Sequence, residues 1–150
     1  MITAKMTPSR QGCDLPSLAE FGHDLTKVTA WQRWRAIATP FLCTLAFFVF
    51  AYLGWWWPAV IATGAYSFFS YGSTSHDLVH GTLGLPRRLN HVLLTLVELL
   101  GVRSGHAYLA AHLHHHRRFP HADDIEAAAA HGSWLGALLA GPAHQLRIWW

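Results

Sequence analysis

The chain has 150 residues, room for one ordinary domain. Hydrophobic residues make up 52% and charged residues 13%, there are eight tryptophans, and the forty residues 36–75 contain no Lys, Arg, Asp or Glu. That window argues against a soluble domain and predicts an integral membrane protein; a net charge of +3, with basic residues bordering apolar segments, predicts lipid headgroups rather than nucleic acid as the partner.

Residues 1–30 read as a polar, cytoplasmic lead punctuated by Pro8, Gly12, Pro16 and Gly22, with a short helix around LPSLAEF. No early apolar stretch suggests a secretory signal. The two cysteines, Cys13 and Cys43, form no C-x-x-C pair, and Cys43 is expected to pack as a small hydrophobe. Trp31, Arg33, Trp34 and Arg35 then give an aromatic and basic mixture suited to a membrane interface.

As one helix the apolar window would be about 60 Å long, roughly twice the hydrocarbon thickness, so two spans are predicted. Gly54, three tryptophans and Pro58 mark the break, placing the first span near Ala36–Trp56 and the second near Ala59–His80. Arg33 and Arg35 precede this hairpin and Arg87 and Arg88 follow it, so both ends are expected on the cytoplasmic side. The second span carries Thr63, Gly64, Ser67, Ser70, Gly72, Ser73, Thr74 and Ser75, small and polar residues suited to close helix packing. LNHVLLTLVELLG (89–101) is too short to span and contains Glu98, which predicts an interfacial or re-entrant helix. HAYLAAHLHHH continues as a cytoplasmic helix, FPHADD ends it, and a further helical stretch follows from IEAAAA. The predicted fold class is therefore all-α integral membrane: a transmembrane helical hairpin plus interfacial and cytoplasmic helices that carry histidines.

Those histidines fall into two groups. His76 and His80, spaced i and i+4, share one helical face and could bind one transition metal; the plainer reading is two histidines at a helix end. His112, His115 and His116 share a second face, whereas His114 points about 200° from His112. A surface cluster, or a fortuitous trap for zinc or copper, is the competing account of that run. Five histidines at the ends of membrane-associated helices favour a role, and all-imidazole ligation suits iron, zinc or copper rather than magnesium or calcium.

HDLVHG followed some thirty residues later by HLHHH resembles the first two histidine boxes, H-x-x-x-H and H-x-x-H-H, of the integral-membrane fatty acid desaturase superfamily, which includes carotenoid hydroxylases and ketolases. FPHADDIE is similar to the acidic segment after the second box in many bacterial members. The resemblance covers roughly Trp31 to Glu126. It implies a non-haem di-iron centre with His76, His80, His112, His115 and His116 as iron ligands. It also implies dioxygen as co-substrate, an electron donor such as a ferredoxin or a cytochrome and its reductase, and an acyl-lipid or carotenoid substrate, desaturated or hydroxylated. A bacterial inner-membrane location with the boxes on the cytoplasmic side goes with it.

Asp77, Asp123 and Asp124 are candidates to hydrogen-bond the ligands, as is Glu126, although acids at the start of the next helix have a simpler account in its dipole. His106 could act only behind the ligands, and His23, His91, His121, His131 and His144 read as surface or interface residues. The family's third box has no counterpart after His116, so residues 31–150 read as a partial desaturase-like domain, inactive alone, or one whose remaining ligands come from elsewhere. The rival from another class is a non-enzymatic zinc- or copper-handling membrane protein; a structural hairpin with incidental histidines is a third reading.

Overall fold

A computed structural model describes residues 27–119, together with 121, 124, 126, 132–136, 139 and 146. The lead helix, Asp123, His23, His131, His144 and most of the final helical stretch lie outside the described residues. Among those described, the regular structure is entirely helical.

Helix α1 runs Ala30–Tyr52. Thr29 starts it: its hydroxyl accepts from the Gln32 amide, while the Gln32 side chain accepts from the Thr29 amide, so two orphan donors are satisfied reciprocally. At about 1.5 Å per residue, its 23 residues are long and apolar enough to cross a membrane. The helix begins six residues before the expected span, because Trp31 to Arg35 continue it instead of preceding it. A turn at Leu53–Trp55, with Gly54 in the left-handed region at φ 73°, leads to α2 (Trp56–Phe69). Trp55 stacks on Phe50 across this turn. Pro58 falls in the first turn of α2, where a missing N–H costs nothing, so it admits the helix rather than breaking it.

What was expected as one second span is a helical run in three parts. After α2 comes a π-helical turn, Ser70–Thr74, and then α3, Ser75–His80. The Ser75 amide reaches back to the Ser70 carbonyl, five residues away. A single added residue rotates everything downstream by about 100° relative to an uninterrupted α-helix, and His76 and His80 lie immediately downstream. Of the small and polar residues of this run, Ser70, Thr74 and Ser75 are buried, while Thr63, Gly64, Ser67, Gly72 and Ser73 are exposed. Burial of these small and polar residues is therefore concentrated at the end that bears the histidines, while α2 buries Ala59, Ala62 and Tyr66.

Pro40 explains part of that packing. It sits inside α1, has no amide hydrogen, and so cannot bond the Ala36 carbonyl one turn earlier. The Thr74 hydroxyl donates to that carbonyl instead, at 2.8 Å. Nearby, Arg33 Nε donates to the Leu83 carbonyl at 2.7 Å, so the start of α1 is tied to both sides of α3.

Gly81, left-handed at φ 67°, caps α3. Helix α4 (Arg87–Leu100) buries Asn90, Leu94, Val97 and Glu98 along one stripe and exposes Leu89, Val92, Leu96, Leu99 and Leu100. Helix α5 (Gly105–Arg118) follows with its axis bent 106° from that of α4. Gly105 permits the close crossing, since a Cβ there would lie 2.9 Å from the Thr95 Cα. Ser104 caps α5, and Phe119, in extended conformation, ends it. A small core of Leu78, Leu83, Leu94, Val97 and Tyr108 lies where α3, α4 and α5 meet.

Candidate metal centre

Two helix ends build the site. The last turn of α3 presents His76 and His80, and the C-terminal half of α5 presents His112 and His116. One ligand atom from each of these four histidines lies within 4.8 Å of the others. Three Nε2 atoms form a tighter triangle: His80 to His112 at 3.2 Å, His80 to His116 at 3.0 Å and His116 to His112 at 3.1 Å. Nitrogens sharing a metal at about 2.1 Å stand about 3.0 Å apart when adjacent in an octahedron and about 3.4 Å apart in a tetrahedron, so this donor set fits a transition ion.

The ring behind each donor decides whether it can bind. His112 Nδ1 lies 3.2 Å and 3.3 Å from the two Glu126 oxygens. A carboxylate can only accept, so Nδ1 carries the proton and the Nε2 of the neutral ring offers its lone pair to the cluster. Tyr71 donates to the same carboxylate at 2.8 Å, and Tyr108 stacks flat on the His112 ring, centroids 5.6 Å apart at 5°. His112 is buried, whereas His80 and His116 are exposed, so the cluster has an enclosed side and an open one. Burial pulls the His112 pKa below the ordinary histidine value, against the opposing pull of Glu126, and the free ring is neutral at pH 7.

His115 is not among the four. Its Nδ1 lies 2.6 Å from Asp124 Oδ2, and Asp124 is itself fully buried. On an α-helix, residues three and four beyond His112 fall about 60° to one side and about 40° to the other, so His115 and His116 flank His112. His80 stands on the His116 side. A carboxylate can only accept, so Nδ1 is the donor in the contact with Asp124, and that contact fixes the orientation of the His115 ring. Asp77 accepts from Thr82 Oγ1 at 2.9 Å and stands 3.9 Å from His76 Nδ1, a looser relation than those of Asp124 and Glu126. His114, His91, His106 and His121 are exposed.

Tyr71, Tyr108, Ser70, Ser75 and Arg103 were not singled out as site residues by sequence reasoning. An aromatic four residues before a ligand, as Tyr108 is before His112, is a usable signal. Tyr71 and Arg103 reach the site through tertiary packing and leave none.

Fold and geometry together define a class: among the described residues the structure is all helical, with one helix long and apolar enough to cross a membrane and four histidines clustered as a metal site would require. No protein-family model, curated protein or solved structure matches the chain, so its own residues carry the functional argument.

Proposed function

We propose that this chain carries part of a membrane-bound, oxygen-dependent di-iron centre of the fatty acid desaturase type, acting on the hydrocarbon chain of a lipid. The observation that carries the reading is the convergence of His76, His80, His112 and His116 from two boxes thirty residues apart. His115, its ring oriented by the contact of Nδ1 with Asp124, is a candidate ligand for a second ion. Further ligands to that ion would come from residues other than these five.

In this reading α1 and the Trp56–His80 run cross the membrane as a hairpin, with Arg33, Arg35, Arg87 and Arg88 at its cytoplasmic face. Only 6% of the most apolar stretch of α1 is buried, unlike the core helix of a soluble protein. Leu42, Leu45, Phe48, Val60, Ile61 and Phe68 face outward, as lipid contact demands. Non-haem iron held by the histidines supplies the oxidation that cleavage of an unactivated C–H bond needs, beyond the reach of acid–base side chains. The chain's own residues orient the rings, with Glu126 against His112 Nδ1 and Asp124 against His115 Nδ1, and Tyr108 walls one side.

A second reading, a non-enzymatic zinc- or copper-binding membrane protein, draws on the same four histidines, since four imidazoles can close around a single ion. The two are separated by expressing the reading frame that encodes this chain in a host lacking desaturases, with iron and oxygen supplied, and analysing total lipids by mass spectrometry. The proposal predicts products that have lost two hydrogens or gained one oxygen. A lipid profile identical to that of the empty host, from protein that holds zinc or copper and takes up no iron, would favour the second reading.

A further inference from the structure

Glu98 and Arg103 lie outside the ligand set, and the Glu98 side chain is more deeply buried than any of the four clustered histidines. It is fully enclosed, and that of Arg103 is 12% exposed. Enclosing such a pair is costly, and apolar side chains of similar volume commonly serve stability as well or better. Its bonds show what it adds. Glu98 Oε2 lies 2.7 Å from Arg103 Nε, and Oε1 accepts from Arg103 Nη2 at 3.2 Å and from the Ser75 hydroxyl at 2.5 Å. Arg103 Nη2 also donates to the Ser70 hydroxyl at 2.9 Å, and the guanidinium lies over the Tyr71 ring.

These partners are not scattered. Ser70 opens the π turn and Ser75 follows its last residue, so the ion pair brackets the turn that sets the rotation of α3; His76 is the next residue. On the other side, Arg103 directly precedes Ser104, the cap of α5. The Glu98 backbone carbonyl accepts from both Gly101 and Arg103, at 3.1 Å and 2.8 Å. Between those two residues Val102 is held at φ 55°, a conformation unfavourable for a β-branched residue and sustained only by surroundings that fix it.

We infer that Glu98 is a positioning residue for the histidine cluster: its carboxylate joins the residue before the first box to the turn that launches the helix of the second. The inference rests on the metal site proposed above. Glu98 touches none of the four ligands; it sets the distance and rotation between the two helix ends that carry them.

The test uses the full chain in detergent micelles, with Co(II) alone as the probe. Two variants separate positioning from plain stability. Ser75→Ala removes the link to the first box and leaves the ion pair in place; Glu98→Leu/Arg103→Met replaces the pair by apolar groups. Both are expected to keep the helix content of the unaltered chain; the double variant is expected to keep its thermal midpoint, and Ser75→Ala to lower it only modestly, as the loss of one hydrogen bond does. Both are expected to bind Co(II) about tenfold more weakly, the low end of what losing a ligand-orienting partner costs, and with a changed visible spectrum. Co(II) affinity and spectrum unaltered in both variants would overturn the inference. So would a loss of affinity that simply tracks a loss of thermal stability. An unaltered chain that binds no Co(II) would remove the metal site itself, a distinct result that takes the inference with it.

Discussion

His112 is held at three places: its Nδ1 by Glu126, its ring face by Tyr108, and its Nε2 within 3.2 Å of two other imidazoles. Replacing Glu126 by Gln lets an amide N–H compete for that position, so metal affinity should fall about tenfold, whereas His114→Ala should leave it unchanged. Isothermal titration of the two variants checks both statements; equal loss in the two would contradict the assignment. The pH dependence has a definite sign. Protons compete with metal for the Nε2 lone pairs, so affinity should fall as the pH drops, and burial, which holds the His112 pKa below the ordinary histidine value, places that residue's share of the fall at lower pH. A titration series that tightens on acidification would contradict this. Helical angles in the sequence separate His114 from its neighbours, but they do not tell His115 from His116. That distinction depends on where His80 and Asp124 stand, which is a matter of tertiary packing.

Among the elements, α1 and the π turn meet through one hydrogen bond that neither sequence segment announces. Pro40 was visible in the sequence, yet its effect, a carbonyl at Ala36 left for another donor, acquires meaning only when Thr74 arrives. Thr74→Val keeps the shape and removes the donor, so it should destabilise the chain by about 1–3 kcal/mol, with Thr74→Ser close to the original. Chemical unfolding in a fixed detergent measures this, and a Thr74→Val chain as stable as the unaltered one would refute it. Charge-free length and the Gly54 turn made the first two helices legible, with ends shifted by a few residues. The π turn was not legible, because no residue type demands it; the hydroxyls of Ser70 and Ser75 and their bonds across to Arg103 and Glu98 accompany it. For the same reason Glu98 served in the sequence only to argue for an interfacial or re-entrant helix, and its ion pair stayed hidden. A lone acid in an apolar segment does not reveal a partner five residues on, in the connection between two helices whose axes differ by 106°.

At the scale of the whole molecule, the described helices α1 and α2 turn many apolar side chains outward, while a small core and the four clustered histidines lie among α3, α4 and α5. The chain is expected to stay with membranes through alkaline carbonate extraction and to leave only with detergent; release by carbonate would contradict the membrane reading. The central claim, that the two boxes form one metal site, is tested most directly by metal stoichiometry. Full-length chain, purified in detergent without oxygen and loaded with Fe(II), should retain at least one iron after desalting. His80→Ala and His116→Ala, one from each box, should each abolish that retention while helix content persists. Iron absent from the unaltered chain, or retained undiminished in both variants, would contradict it.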